Sequence, residues 1–218
     1  MMIRTIHHAL VIPAEAVFAI EREPMRDLTR QLEDRLQRHV KAEAGFEPRA
    51  GRAAVAIMLR EGAQATEMLM IRRATREGDP WSGHMGFPGG RRDPQDSSNL
   101  ACALRETEEE LGVDLAQWGS AVGELSDVNT GWRKDRPEML VTPFVFRVAS
   151  LPPLTPNDEV DDVVWVPLDY LMVQENREPL AWEWKGQNLE TDSYLYESYR
   201  IWGLSLMMID EMIALLKP

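Results

Sequence analysis

Apolar residues recur along this chain with two spacings, and the change from one to the other marks out its elements. Within residues 24–44, Leu28, Leu32, Leu36 and Val40 return every fourth position among charged neighbours. That spacing lines one face of an α-helix, and Pro24 is acceptable in its first turn. The pattern predicts an amphipathic helix packed on the main body, with a shorter helix over 13–22 before it and a loop over 45–51. Residues 53–59 (AAVAIML) and 67–71 (EMLMI) are then short apolar runs parted by the turn-prone Glu61, Gly62 and Ala63, which predicts a strand pair. A Gly- and Pro-rich stretch over 78–90 follows, then a helix over 98–111 closed by Gly112. Strands are expected over 122–128 and 141–148 with a polar loop over 129–138, and over 163–166, leading into 168–172. Residues 194–202 are aromatic-rich and expected to be extended. A last helix over 203–216 carries Leu204, Met208, Met212 and Leu215 on one face, a stripe that suits a core better than a ligand. No repeat or low-complexity segment interrupts this order.

The helix over 98–111 holds the chemistry. Asp96 or Ser97 can cap its N-terminus, and Gly112 can take the left-handed position that ends it. At about 100° per residue, Leu100, Leu104, Thr107 and Leu111 fall in a narrow stripe expected to be buried. Glu106, Glu109 and Glu110 lie within about 100° of one another on a different face, and Arg105 stands four residues before Glu109, placed for an ion pair. Carboxylates gathered on one face repel unless a cation neutralises them, and oxygen-only ligands suit Mg2+ or Mn2+ rather than zinc. A bare run of this kind is more often a solvated acidic face; its flanking residues change that reading.

Composition narrows the classes. The 218 residues have room for one ordinary domain with extensions, and 44% are apolar, enough for a packed core. No run of about 20 apolar residues predicts a membrane span, and residues 1–16 do not read as a signal peptide, so a cytoplasmic location is expected. A single cysteine, Cys102, leaves no intramolecular disulfide and no cysteine-rich metal site. The net charge of −12 argues against a nucleic-acid binder but not against a small anionic substrate. Basic residues cluster at Arg72, Arg73 and Arg76, at Arg91 and Arg92, and at Arg133, Lys134 and Arg136. Each cluster alone reads as solvated surface; together they surround the acidic helix in sequence.

The flanking residues run Gly89-Gly90, five residues, Asp96, eight residues, then Arg105-Glu106-Thr107-Glu108-Glu109-Glu110-Leu111-Gly112-Val113. This resembles the Nudix box, G-x5-E-x7-R-E-U-x-E-E-x-G-U with U apolar. Arg105, Glu106, Glu109, Glu110, Gly112 and Val113 match its second half, and Gly90 supplies the leading glycine. Asp96 replaces the first glutamate, one extra residue precedes Arg105, and Thr107 stands at an apolar position. The Phe87-Pro88-Gly89-Gly90 segment with its longer box is similar to the coenzyme A pyrophosphatase branch. So are Gly83 before Phe87, the upstream Met70-Ile71-Arg72, and Tyr199-Arg200-Ile201-Trp202-Gly203-Leu204. The spacing from Arg72 to Gly83 is longer than in that branch. The resemblance covers about residues 52–216.

The resemblance implies an α/β fold, a Nudix α/β/α sandwich around a mixed β-sheet, as a domain over 49–218 behind an N-terminal helical extension over 1–48. It implies a pyrophosphohydrolase that uses Mg2+ or Mn2+ to cleave a diphosphate in a small nucleotide-like molecule, first of all coenzyme A or an acyl-coenzyme A. ADP-ribose, nucleoside diphosphate sugars and nucleoside triphosphates are the alternative substrates, and a nucleotide-binding protein without turnover is the alternative class. The implied metal ligands are the Gly90 carbonyl, Glu106, Glu109 and Glu110. Arg72, Arg73, Arg92 and Phe87 are implied for substrate binding, and Arg105, Glu109 and Glu159 for catalysis. Either Glu109 or Glu159 could be the general base, and a solvated loop acid is at least as good a reading of Glu159. His84 reads as incidental, and Cys102, expected to point away from the buried stripe, has no base partner to make it a nucleophile. Trp81, Trp132 and Trp202 suit either adenine stacking or the core, and the core is the expectation for Trp202. The N-terminal helix is expected either to cap the domain or to join two subunits as a homodimer.

Overall fold

A computed structural model describes residues 27–42, 48, 51–77, 81–131, 138–184 and 187–217. The helix expected over 13–22 lies outside these residues, as do Trp132, Arg133, Lys134 and Arg136. The fourfold leucine spacing is realised in α1 (Leu28–Leu36), where the Asp27 carboxylate accepts a hydrogen bond from the Arg30 N–H and caps the helix. Leu28, Leu32 and Leu36 are buried, whereas Val40, past the helix end, is exposed.

The two apolar runs form β1 (Arg52–Glu61) and β2 (Thr66–Arg73), paired antiparallel with Leu59 opposite Met68. Their side chains alternate between the faces of the sheet, as strand geometry requires. Ala53, Ile57, Leu59, Met68 and Met70 enter one core; Ala56, Met58, Leu69 and Ile71 enter the other. A strand buried on both faces reads as a continuous apolar run, which is how these two read. β7 (Leu140–Val148) runs parallel to β1 along its length, and β8 (Val160–Pro167) lines the outer side of β2. On the far side of β7 lie β5 (Gly119–Glu124) and β6 (Val128–Asn129), both antiparallel to it. The strand expected over 122–128 is thus broken in two. Ser126 and Asp127 leave the ladder because their side chains are engaged elsewhere, Ser126 with Glu211 and Asp127 with Thr142.

The Gly- and Pro-rich stretch contributes two short strands that no apolar run announces, β3 (Met85–Gly86) and β4 (Gly89–Arg91). β3 pairs with β2 at Ile71 and Arg72; β4 pairs with β1 at Ala53, Ala54 and Val55. The outer sides of β1 and β2 are taken by β7 and β8, so residues 85–91 form a wedge between the two strands where they part. The Ala56 N–H donating to the Pro88 carbonyl closes the middle of this wedge.

The result is an eight-stranded mixed sheet with a helical layer on each face. α2 (Asn99–Leu111) and the short α3 (Leu115–Trp118) cover one face. α1 and the final helix α5 (Gly203–Leu216) cover the other and pack on one another. In α5 Leu206, Met208, Ile209, Met212, Ile213 and Leu216 are buried, a wider band than the expected stripe. α4 (Leu168–Met172) leads into β9 (Arg177–Trp184), β10 (Gln187–Tyr196) and β11 (Tyr199–Ile201), a separate antiparallel sheet. The segment expected to be extended over 194–202 is therefore two strands, reversed at Glu197 in a left-handed conformation. Among the described residues no helix is long and apolar enough to cross a membrane.

Candidate active site

α2 is set by local chemistry at both ends. The Ser98 hydroxyl, rather than Asp96 or Ser97, caps it by accepting from the Ala101 N–H. Asp96 is otherwise committed: the Arg105 guanidinium donates to both of its carboxylate oxygens, Nε at 3.0 Å and Nη2 at 2.9 Å, and the Asp93 N–H adds a third bond. The Arg105 fork holds this buried carboxyl at about 2, far into its charged form. At the other end Gly112 takes a left-handed φ of 70° and donates to the Glu108 carbonyl. The Asn157 and Thr155 N–H groups reach the Glu110 and Leu111 carbonyls, so the 155–159 loop is docked on the helix end.

The buried face of α2 is broader than a four-residue stripe. Thr107 and Leu111 are buried, with Leu100 and Leu104 partly so. Thr107 tolerates its apolar position because its hydroxyl donates to the Ala103 carbonyl one turn back. Cys102, expected to point away from this stripe, is fully buried against Ala54. The helix lies in the angle between β1 and β4 and so has two surfaces to cover. The Cys102 thiol donates to the Gly90 carbonyl at 3.5 Å, and burial pushes it up to about 12, which leaves no thiolate nucleophile.

Gly89 and Gly90 are required by close approach. A side chain on Gly89, at a φ of 148°, would strike the Ala54 carbonyl and Val55 of β1. One on Gly90 would lie 2.5 Å from the Glu106 carboxyl carbon. Glu110 is 2% exposed and accepts from the Gly89 N–H at 2.8 Å. Burial pushes it up to about 7, partly opposed by that bond; the charge of Glu106 adds to the shift and that of Arg73 opposes it. Glu106 is raised for the same first reason, with Arg105 opposing and Glu109 and Glu159 reinforcing. Arg105 also meets Glu106 at 2.9 Å and Glu109 at 3.1 Å, so the expected ion pair along the helix is present.

The structure thus brings Gly90, Arg105, Glu106, Glu109, Glu110 and Glu159 into one neighbourhood. Among the described residues no three His, Cys, Asp or Glu side chains form a group that could hold a metal as they stand. Glu106 and Glu109 turn to Arg105, and Glu110 to the Gly89 amide. The donor set still fits a hard divalent cation: all oxygen, running from the buried Glu110 through the half-buried Glu106 to the exposed Glu109, with neighbouring carboxylates raising the proton affinity of Glu106 and Glu110.

Of the residues expected to touch substrate, Arg73 is close enough for its charge to act on Glu110. Arg72 pairs with Asp161 at 2.8 Å and lies over the Tyr199 ring. Arg92 donates to the Asp96 carbonyl and to Asn99, bracing the loop before α2. Phe87 is 6% exposed and packs in the core beside Met85 of β3. Glu159 is held by Arg76 at 3.2 Å, a pairing across 83 positions that no local pattern marks. A chain of polar contacts was also invisible in sequence. Asn99 donates to Thr142, Thr142 to Asp127, and Arg52 to Asp127, fixing the start of α2 to β7 and β1.

The NUDIX domain profile matches residues 49–185. A mitochondrial coenzyme A diphosphatase of Mus musculus is 31% identical over 178 residues, 78% of this chain and 80% of its own. Its Homo sapiens counterpart is 32% identical over 184 residues, 81% of this chain and 74% of its own. An uncharacterized protein of Schizosaccharomyces pombe is 38% identical over 112 residues, half of this chain but only 34% of that longer protein.

Proposed function

The chain belongs to the Nudix family, and we propose that it is a divalent-metal-dependent hydrolase that cleaves the diphosphate of coenzyme A or an acyl-coenzyme A. The observation that carries this reading is the half-buried Glu106 beside the buried Glu110, both raised in proton affinity next to the Gly89–Gly90 backbone. A protein keeps such acids dry at a cost in stability, and a bound cation offsets that cost. The branch assignment draws on the two relatives named as coenzyme A diphosphatases.

Glu106, Glu109, Glu110 and the Gly90 carbonyl would hold Mg2+ or Mn2+. When bound, the cation supplies charge neutralisation at the diphosphate and acidifies water for attack on phosphorus. Arg105 keeps Glu106 and Glu109 oriented by tethering α2 to Asp96. Arg73, and Arg72 on release from Asp161, would bind phosphate oxygens. Glu159 or Glu109 would take the proton of the attacking water, and Arg76 holds Glu159 in place for that step. Water adds to one phosphorus, the bridging P–O bond breaks, and two phosphate monoesters leave: an adenosine bisphosphate and a phosphopantetheine.

The test is turnover of a panel (coenzyme A, ADP-ribose, nucleoside diphosphate sugars, nucleoside triphosphates) with Mg2+ or Mn2+, products resolved by chromatography. Coenzyme A is expected to have the highest kcat/KM. Preference for another member replaces the substrate, and binding of nucleotide without turnover of any member replaces the enzyme with a nucleotide-binding protein.

A further inference from the structure

Among the described residues, two half-buried tryptophans pack against each other outside the clusters of buried apolar side chains. Trp202, between β11 and α5, meets Trp182 of β9 with ring centroids 5.5 Å apart at 64°. It also meets His84, with ring centroids 5.0 Å apart at 56°. All three are only partly buried, and none belongs to the apolar clusters on the two faces of the sheet or to the residues packed against them. A Trp side chain carries on the order of 200 Å² of mostly apolar surface, so a half-buried pair presents a broad aromatic face that a planar ligand can use.

Their position suggests which. The His84 carbonyl accepts from the Arg73 N–H, and Met85 beside it is paired with Arg72. The trio therefore sits at the β2 end of the wedge whose other end is Gly89–Gly90. Trp202 is braced there, because β11 packs on β3 and the Ser205 hydroxyl donates to the Met85 carbonyl. From His84 to Gly90 is six residues, a span of at most about 20 Å even if fully extended. The order along the molecule is aromatic trio, arginines, acidic helix. It matches the order along a nucleotide: planar base, phosphates, bound cation.

Resting on the proposed function, we propose that Trp202, flanked by Trp182 and His84, is the stacking surface for the planar base of the substrate and determines its specificity for base-bearing diphosphates. Rings stack on any base without reading its edge, so the site distinguishes molecules with a base from those without one.

The experiment titrates the full-length protein with AMP and, separately, with ribose 5-phosphate by calorimetry, in chelator so that no metal is needed. Wild type is compared with Trp202→Leu and Trp202→Phe, with melting temperatures taken alongside. Trp202→Leu is expected to weaken AMP about tenfold, Trp202→Phe to retain most of the affinity, and ribose 5-phosphate to be indifferent to both. In turnover of coenzyme A, KM is expected to rise about tenfold in Trp202→Leu with kcat within about twofold. Should Trp202→Leu fail to fold, Trp182→Leu in the same titration decides, again by weaker AMP and unchanged ribose 5-phosphate. The proposal is overturned by AMP that does not bind wild type, by AMP affinity unchanged in the leucine variants, or by equal loss of both ligands. Trp202-dependent AMP binding in a protein that hydrolyses no diphosphate keeps the base site and removes the hydrolase. Turnover whose KM ignores Trp202 does the reverse.

Discussion

Helices α2 and α5 are nearly equal in length and lie on opposite faces of one sheet, yet they are held by different forces. α5 has no side-chain cap at its start, and its buried positions are all apolar. α2 is capped by Ser98, closed by a left-handed glycine and docked by the 155–159 loop, and it buries an acid that burial pushes toward neutrality. α5 also makes polar bonds, from Ser205 to the Met85 carbonyl and from Ser126 to Glu211, but its buried side is apolar alone. α2 ties its acidic side by directional bonds to Asp96, Gly89 and Thr142, which keep its carboxylates in one orientation. Chemistry is placed on the helix that is costlier to build, and bulk stability on the other.

Substitutions can break that division, and the largest effect belongs to the exposed acid of α2. Glu109→Gln is expected to lower kcat/KM by about a thousandfold or more, since on the proposed reading it removes a charge that holds the cation, worth several kcal/mol at the transition state. The melting temperature should hardly move, because the Glu109 side chain is 55% exposed; an active variant would remove Glu109 from the metal site. In α5 the converse holds. Ile209→Ala, at a fully buried position, should cost about 2–5 kcal/mol in chemical denaturation while leaving kcat of the folded fraction unchanged.

Arg105→Lys tests the coupling of the two properties. An ammonium cannot reproduce the two-oxygen contact with Asp96, so stability should fall by about 1–3 kcal/mol and kcat with it, as the reach to Glu106 and Glu109 is lost. A fall in one without the other would show that anchoring and orientation are separable. The smallest effect sharpens the electrostatics. The folded-state pKa of Glu110 lies at about 7, above the usual 4.5. The folded protein therefore binds the extra proton between those values, and stability falls as pH rises through that window. In chelator, Glu110→Gln should flatten this decline and gain about 1–3 kcal/mol above pH 7; an unchanged pH profile would place the titrating group elsewhere.

What was legible in the sequence was what is local. The α2 boundaries, its glycine stop and the Arg105–Glu109 pair are fixed by residues at most a turn apart, and β1 and β2 announce themselves as apolar runs. The burial of Cys102 was hidden because a helical wheel assumes one buried face, whereas α2 meets both the sheet and β4. β9 was missed although Leu180, Trp182 and Trp184 alternate. Pro179, the charged residues before it and Glu183 resemble a loop, and the partner strand β10 is largely polar. The pairings of Arg76 with Glu159 and of Thr142 with Asp127 join residues that only the folded sheet brings together. Their residue types carry no mark of it.

The wedge of residues 85–91 has a further consequence for motion. Most ligand loops lie over a scaffold and open without disturbing it. Here the segment bearing Gly89 and Gly90 is knitted into the ladders of β1 and β2, so it cannot lift away without unzipping central strands. Its amides should exchange with solvent as slowly as those of the sheet, and access for a ligand falls to the surrounding side chains.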